Sequence, residues 1–206
     1  MFLENTLNGK EQFGWIEVIC GSMFSGKTEE LIRRLKRAQF AKQKIKIFKP
    51  SMDVRFRGGR LVTHDSNEIR STPVSSALEI LPLAKGCRVI GIDEAQFFDD
   101  DIVTVCNSLA NSGIRVIVAG LDMDFKGVPF GPMPNLMATA EYVTKVHAVC
   151  TRSGGLAHFS YRKGSDDSLV LLGEAGDYEP LSRVAYNKAT KKGKKKKGID
   201  RRAIKD

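Results

Sequence analysis

Residues 21–28, "GSMFSGKT", carry the side chains whose types and spacing most clearly suggest chemistry. They fit the pattern G-x-x-x-x-G-K-[ST], in which glycines let backbone N–H groups turn inward around phosphate oxygens. In this pattern the lysine adds a cation beside the β- and γ-phosphates, and the last hydroxyl can bind Mg²⁺. The loop is therefore predicted to hold the phosphates of ATP through Gly21, Ser22, Met23, Phe24, Ser25, Gly26, Lys27 and Thr28.

Two acidic residues follow the apolar run "VIGI" at 89–92 and predict the other half of such a site. Asp93, at the end of a strand, would complete a magnesium site with Thr28. Glu94 would stay free of the metal and could take a proton from the nucleophile that attacks the γ-phosphate. That nucleophile could be water or a substrate hydroxyl, so the motif leaves an ATPase and a kinase both open.

Apolar side chains recur in the segments that follow the predicted strands. Ligands of parallel α/β sheets bind at the carboxyl edge, where these segments should meet. Any one of the side chains could belong to the core, but together they favour a pocket for a flat, partly apolar acceptor, and hence a kinase. Met23 is expected to face this acceptor, and Phe24 to pack beneath the loop. The other members of the set are Phe97, Phe98, Leu121, Phe125 and Phe130.

A parallel sheet is needed to bring these segments together, and the chain has the pattern for one. Apolar runs at 15–20, 44–50, 87–98 and 114–125 alternate with helical segments at 27–43 and 99–113. Runs that are apolar throughout are typical of strands buried on both faces. The sequence therefore predicts an α/β fold with a mostly parallel sheet flanked by helices. Further predictions are a short strand at 68–74, a short helix at 75–85, a helix at 135–143 and a strand at 143–150.

The last quarter of the chain has a different character. From residue 151 it is rich in Gly and Ser, with short strand-like pieces, and it predicts a loop-rich cap. Residues 188–205 contain ten Lys and Arg against one acid, which could bind nucleic acid. Few apolar residues and no aromatic for base stacking favour a disordered tail instead. The predicted organisation is an N-terminal extension (1–14), a nucleotide-binding domain (15–149), a cap (150–187) and a basic tail (188–206).

Composition places the chain among globular proteins. Its 206 residues, of which 42% are hydrophobic, suit one α/β domain with a small appendage, and the tail supplies most of the net charge of +9. No apolar run is long enough for a membrane span, and the N-terminus does not resemble a signal peptide, so a cytoplasmic location is expected. The four cysteines, Cys20, Cys87, Cys106 and Cys150, form no C-x-x-C pair, and no disulfide framework is expected.

Five motifs, taken together, resemble the type II thymidine kinases. They are "GSMFSGKT" (21–28), "DVRF" (53–56), "DEAQFF" (93–98), "GLDMDFKGVPFG" (120–131) and "GEAGDY" (173–178), in that family's order and spacing. The resemblance implies a P-loop, RecA-like domain with a small cap, often called a lasso, and usually a homotetramer. It implies transfer of the γ-phosphate of ATP to the 5′-hydroxyl of thymidine with Mg²⁺. The product, dTMP, would serve pyrimidine salvage and DNA precursor synthesis, with dTTP as an expected feedback ligand.

The resemblance also assigns roles to individual residues. Glu94 matches the catalytic base, Arg55 a residue that stabilises transferred charge, and Lys27 the phosphate-binding lysine. Gln96 is assigned to the ATP site together with Asp93. Asp53 matches a residue near the phosphates and the metal, with an indirect role at the metal. The implied thymidine-binding set consists of Met23, Phe97, Leu121, Phe125, Phe130, Ser160, Gly173 and Tyr178.

The cap departs from this family at a zinc site that relatives often build from two C-x-x-C pairs. The corresponding positions here are Cys150, Ser153, Ser182 and Ala185, so three of the four thiolates are missing. A tetrahedral thiolate site needs all four ligands, and His147 and His158 nearby offer only a partial replacement. The sequence therefore predicts that the cap binds no structural zinc.

Two other functions use the same motifs. An ATPase acting on nucleic acid would combine the P-loop and "DEAQ" with the basic tail, but the chain is short for a two-lobed motor. A non-catalytic regulatory protein would not need Lys27, Asp93 and Glu94 together. Thymidine phosphorylation is favoured, with no nucleic acid or membrane partner. His64 is expected to serve a loop or an interface, since Glu94 already supplies the base.

Overall fold

The fold is known from a computed structural model that describes residues 13–52, 60–62, 68–164 and 176–200. The predictions for Asp53, Arg55, His64 and Gly173 lie outside these residues. Within them the strands begin with β1 (Trp15–Gly21), β2 (Ile45–Pro50), β3 (Arg60–Val62), β4 (Glu68–Arg70), β5 (Thr72–Val74), β6 (Val89–Ile92), β7 (Arg115–Leu121) and β8 (Tyr142–Lys145).

Six of these strands form one central sheet in the order β5-β2-β6-β7-β1-β8, and every neighbouring pair in it is parallel. Strands β3 and β4 form a separate antiparallel pair. The flanking helices are α1 (Lys27–Phe40), α2 (Ile80–Leu83), α3 (Asp101–Asn111) and α4 (Met133–Thr139). The prediction of an α/β fold with a mostly parallel sheet flanked by helices is confirmed.

Both faces of the sheet are buried, which explains why its strands are apolar throughout. Along β1, Ile19 faces the cluster that α1 covers, while Val18 and Cys20 face the cluster formed with α2, α3 and α4. Alternate side chains of a strand point to opposite faces, so a sheet covered on both sides needs apolar residues at nearly every position. The four cysteines are all buried and free.

Strand order decides where the predicted site residues meet. Strands β6, β7 and β1 are neighbours, with Ile92 paired to Val118 and Gly21 to Leu121. The loop after β1, the acids after β6 and the segment after β7 therefore leave the same edge of the sheet. That edge brings together segments 21–28, 93–98 and 121–130.

The C-terminal region forms a second, smaller packing unit. It contains the antiparallel pair β9 (Ala148–Val149) and β10 (Leu156–Ala157), the antiparallel pair β11 (Phe159–Arg162) and β12 (Tyr178–Leu181), and helix α5 (Arg183–Asp200). Its apolar cluster is distinct from the two clusters of the sheet. The rings of Phe159 and Tyr186 stack at its centre, 4.4 Å apart, and so tie α5 to β11.

Two elements predicted within residues 135–150 differ from the observed ones. The helix predicted at 135–143 ends at Thr139, and Tyr142 and Val143 instead begin β8. The strand predicted at 143–150 is divided, because β8 pairs with β1 whereas β9 pairs with β10. Tyr142 and Val143 are 42% and 44% exposed on an edge strand, so the local pattern lacks the burial that marks the central strands. Helix α5 also continues past residue 188, where the basic tail was expected to begin.

A buried ion cluster fastens α1 to the sheet. Glu17, in the middle of β1, is fully buried and accepts hydrogen bonds from Arg115 Nε (2.6 Å), Arg34 Nη1 (2.7 Å) and Trp15 Nε1 (2.7 Å). Arg34 also donates to Glu30 Oε1 at 2.8 Å. Burial alone would raise the pKa of Glu17, but the bonds from Arg115, Trp15 and Arg34 outweigh it and hold the pKa below its ordinary value.

Candidate active site

The predicted phosphate loop is a tight turn between β1 and α1. Its first and last glycines are required by its shape, since a Cβ at Gly21 would lie 2.2 Å from the Val146 carbonyl oxygen and Gly26 has a φ of 80°. Lys27 Nζ and Ser25 Oγ both donate to the Ser22 carbonyl oxygen, at 2.7 Å and 2.8 Å. The lysine ammonium therefore lies against its own loop, where a bound phosphate could displace the carbonyl.

Electrostatics at Lys27 reflect the acids that follow β6. Burial lowers the pKa of Lys27, while the carboxylates of Glu94 and Asp93 act in the opposite direction. These acids come from a part of the chain some 66 residues away, and the strand order places them beside the loop. The residues for which the sequence predicts phosphate binding and proton transfer thus share one electrostatic environment.

The two large apolar residues of the loop have different surroundings. The backbone N–H of Met23 donates to Ser160 Oγ at 2.9 Å, which joins the loop to strand β11. Ser160 is 4% exposed and belongs to the predicted thymidine-binding set. Phe24 is 47% exposed, so the expectation that it packs beneath the loop is wrong. Its φ of 62° lies in the left-handed region, and this turn leaves the side chain in solvent.

Thr28 and Asp93, for which the sequence predicts magnesium binding, lie side by side. Thr28 Oγ1 is 3.2 Å from Asp93 Oδ2 and 3.5 Å from Oδ1. Burial and the neighbouring charge of Glu94 raise the pKa of Asp93 to about 7. A buried carboxylate beside a second carboxylate and a hydroxyl is an oxygen-rich, anionic donor set, and these residues therefore fit a hard divalent cation such as Mg²⁺.

Glu94 stands at the turn that follows β6 in a constrained conformation. Its φ of 52° and ψ of 41° are left-handed, which is uncommon for a residue other than glycine. The side chain is partly exposed, and Oε2 accepts a hydrogen bond from Gln96 Nε2 at 2.5 Å. The backbone N–H of Glu94 donates to Asp93 Oδ1 at 2.9 Å, so the two carboxylates have different hydrogen-bond partners.

Several residues of the predicted apolar pocket touch one another at this edge. The rings of Phe97 and Phe130 form an edge-to-face pair 5.7 Å apart. The backbone N–H of Leu121 donates to Gln96 Oε1 at 2.9 Å, which links the segment after β7 to that after β6. Phe98, by contrast, is 8% exposed and belongs to the core of the sheet, so its side chain serves packing.

Arg162 is a residue of this site that sequence reasoning missed. Its guanidinium carbon lies 3.7 Å from the centre of the Phe125 ring, and Nη2 and Nε donate to the Tyr178 hydroxyl at 2.6 Å and 3.1 Å. Arg162 is 5% exposed. A cation on an aromatic face and a fork of donors fix both partner rings. A signal for Arg162 was available in the short strand "FSYR". Arg162 lies two residues after Ser160, so both side chains point to the same face of β11, and both are buried.

The four positions that correspond to the zinc site of relatives come together in the cap. Ser153 Oγ lies 3.5 Å from Ser182 Oγ, and the Ala185 N–H lies 3.4 Å from Ser182 Oγ. Burial raises the pKa of the Cys150 thiol, but hydrogen bonds involving Ser153, Ser182 and Arg152 outweigh it and lower the pKa to about 6. In the part of the chain that the structure describes, no group of three or more His, Cys, Asp or Glu side chains could hold a metal ion.

Comparison with known proteins identifies the family. A family model described as thymidine kinase matches residues 14–186. The chain belongs to the thymidine kinase family. The match spans the central sheet, the phosphate loop and most of the cap region, so it covers every described residue of the candidate site.

Relatives in this family are similar over nearly the whole chain. A thymidine kinase of Bacteroides fragilis (strain YCH46) is 57% identical over 95% of this chain and 98% of its own length. One from Bacteroides thetaiotaomicron is 58% identical over 92% of this chain and 95% of its own. One from Rhodothermus sp. (strain ITI 518) is 59% identical over 84% of this chain and 81% of its own length.

Among the helices that the structure describes, none has the length and apolar character to cross a membrane.

Proposed function

We propose that this chain transfers the γ-phosphate of ATP to the 5′-hydroxyl of thymidine, giving dTMP and ADP. Membership of the thymidine kinase family and the names of the relatives support thymidine as the acceptor. The structural observation that carries the proposal is the position of Glu94. Its charge acts on Lys27 of the phosphate loop, and Gln96 links its carboxylate to Leu121 at the end of β7.

In this proposal each residue acts through an atom with a defined role. The backbone N–H groups of the loop and the Lys27 ammonium bind the phosphates of ATP, and Lys27 turns away from the Ser22 carbonyl to do so. Glu94 accepts the proton of the 5′-hydroxyl as the hydroxyl oxygen attacks the γ-phosphorus and ADP leaves. Arg55 is proposed to stabilise the transferred charge.

Magnesium is proposed to bind through Thr28 and Asp93. Asp53 is proposed to take part in the same site without contacting the ion directly. When bound, the ion neutralises charge on the phosphates. Thymine is proposed to lie against Met23, Leu121 and Phe125, close to Phe97, Phe130 and Tyr178. Exclusion of water by the cap, including Gly173, would favour transfer to the nucleoside over hydrolysis.

A single assay tests the proposed function. The purified chain is incubated with ATP labelled at the γ-phosphate and, in separate reactions, with thymidine, deoxycytidine, DNA or no acceptor. We expect labelled dTMP from thymidine and little free phosphate without it. Release of phosphate to water that DNA stimulates, with no dTMP, would instead identify an ATPase acting on nucleic acid.

Replacing Arg162 by lysine is expected to raise the KM for thymidine roughly tenfold, with a much smaller change in the KM for ATP. Lysine keeps the charge but loses the planar contact with Phe125 and the double donation to Tyr178. Steady-state kinetics with each substrate varied in turn would measure the change. Arg33→Lys is the matched control, because Arg33 lies on α1, is exposed and pairs with Glu30 rather than with a residue of the pocket. Equal shifts in both KM values would contradict a role confined to the thymidine pocket.

The purified protein is expected to contain no stoichiometric zinc. Cys150 is a single thiol among the hydroxyls of Ser153 and Ser182 and the methyl group of Ala185, and neutral hydroxyls do not replace thiolate ligands. Elemental analysis after dialysis would measure the zinc content, with Cys150→Ser as the comparison. Zinc near one atom per chain, lost in that variant, would show that the cap binds the metal.

We further propose that the enzyme is a cytoplasmic homotetramer and that dTTP inhibits it. The family resemblance supports all three properties. Light scattering after size-exclusion chromatography measures the number of chains. Adding dTTP to the assay above, at fixed ATP and thymidine, tests the inhibition.

A further inference from the structure

Gln96 is a buried amide whose two ends have different partners. Its Oε1 accepts the backbone N–H of Leu121 at 2.9 Å, and its Nε2 donates to Glu94 Oε2 at 2.5 Å. The residue is 2% exposed. A backbone N–H can only donate, so it requires the oxygen end of the amide, and the NH₂ end must then face Glu94. The orientation of the amide is fixed by these two partners.

Two glycines allow the surrounding chain to close on this residue. A Cβ at Gly120 would lie 2.9 Å from Gln96 Oε1 and 2.6 Å from Met133 Sδ. A Cβ at Gly131, where φ is 48°, would lie 2.4 Å from the Gln96 carbonyl oxygen. Any larger residue at either position would displace the amide or its backbone. Gln96 is thus held on both sides, and a rigid donor can hold the carboxylate that it contacts.

Glu94 needs such a support because of its neighbours. It adjoins Asp93, another carboxylate, and its left-handed backbone leaves the side chain at a turn rather than on a regular element. The donation from Gln96 holds Oε2 on the side of Leu121, where the segment after β7 begins. Asp93 instead contacts Thr28, the last residue of the phosphate loop. The two adjacent carboxylates are thereby assigned to different parts of the site.

We infer that Gln96 is a positioning residue for the catalytic base and not a ligand of ATP, although the sequence predicts ATP binding for it. Gln96 orients the Glu94 carboxylate toward the acceptor pocket, and through Leu121 it ties that orientation to the wall of the pocket. This inference rests on the proposed function, in which Glu94 takes the proton of the 5′-hydroxyl. It adds the residue through which the pocket and the base are connected.

Two substitutions separate the contacts of the amide. Gln96→Met has a similar length and loses both contacts, whereas Gln96→Glu retains an oxygen for Leu121 and loses the donor to Glu94. We expect kcat to fall about 10- to 100-fold in both, since small misplacements of a catalytic group have effects of this order. The dissociation constant for ATP, measured by calorimetry, should stay within about twofold of the wild type. Gln43→Met, on an exposed glutamine, is the matched control and should leave kcat unchanged.

A double substitution tests whether Gln96 acts through Glu94. In a Glu94→Ala background, Gln96→Met should lower kcat by less than about twofold further, because no base remains to be positioned. Full additivity, an unchanged kcat in both single variants, or weaker ATP binding with kcat retained would each overturn the inference. If Gln96→Met does not fold, Gln96→Glu decides between these outcomes. A wild-type chain that does not phosphorylate thymidine would refute the proposed function itself, which is a distinguishable result.

Discussion

Replacing Glu94 by alanine is expected to lower kcat for thymidine phosphorylation about 10²- to 10⁴-fold, the usual contribution of a general base. Glu94 is partly exposed at the end of β6, and Lys27 and Asp93, proposed to contact phosphates and magnesium, remain in place without it. ATP binding should therefore change little. Product formation under saturating substrates measures the first effect, and calorimetric titration with ATP and Mg²⁺ measures the second.

Glu94→Gln refines this result because it keeps the shape and an acceptor for Gln96 but cannot take a proton at neutral pH. It should be nearly as inactive as the alanine variant. Glu79→Ala, at an exposed carboxylate before α2, serves as the control and should behave as the wild type. A Glu94→Ala enzyme that keeps more than about a tenth of kcat would show that proton transfer uses another group.

Replacing Glu17 by glutamine is expected to lower the free energy of unfolding more than any other substitution proposed for this chain. Glu17 is fully buried between Arg34 and Arg115, and both guanidinium groups contact its carboxylate. Replacing that carboxylate by a neutral amide removes the negative charge that the two buried cations share. Breaking a buried pair on one side typically costs about 3–5 kcal/mol. Arg34 retains Glu30, so we expect about 3 kcal/mol, which for a chain of this size lowers Tm by roughly 6–12 °C. Thermal and urea denaturation would measure both quantities.

Glu30→Gln is the control, because Glu30 lies at the rim of the same cluster and pairs with the exposed Arg33. It should cost about 1 kcal/mol or less, as rim pairs do. The sign of the pH dependence follows from the lowered pKa of Glu17. Its contribution is complete above the ordinary value of 4.5 and is lost as pH falls through the lowered pKa. The stability difference between wild type and Glu17→Gln should therefore narrow in acid, and a constant difference would contradict this cause.

Local patterns were sufficient for the phosphate loop, the two acids and the class of fold. The P-loop is defined by residues within eight positions, and its strand and helix lie directly beside it. The central strands were recognisable because a sheet covered on both faces demands apolar residues throughout. The start of the edge strand β8 was not, since Tyr142 and Val143 are exposed and local spacing alone resembled a helix. Phe24 was also misplaced, because a left-handed backbone turned it to solvent.

The sequence by itself predicted the groups that bind phosphate and move a proton and determined the class of fold, because both depend on residue types at short, fixed spacings. Only the tertiary structure decided which distant residues contact these groups and the elements that carry them. Met23 contacts Ser160 across 137 positions, Leu121 contacts Gln96 across 25, and Arg115 contacts Glu17 across 98. Such contacts depend on strand order and on the direction in which each side chain leaves a packed backbone. Neither is encoded in local spacing, and both arise when the sheet and the cap have packed.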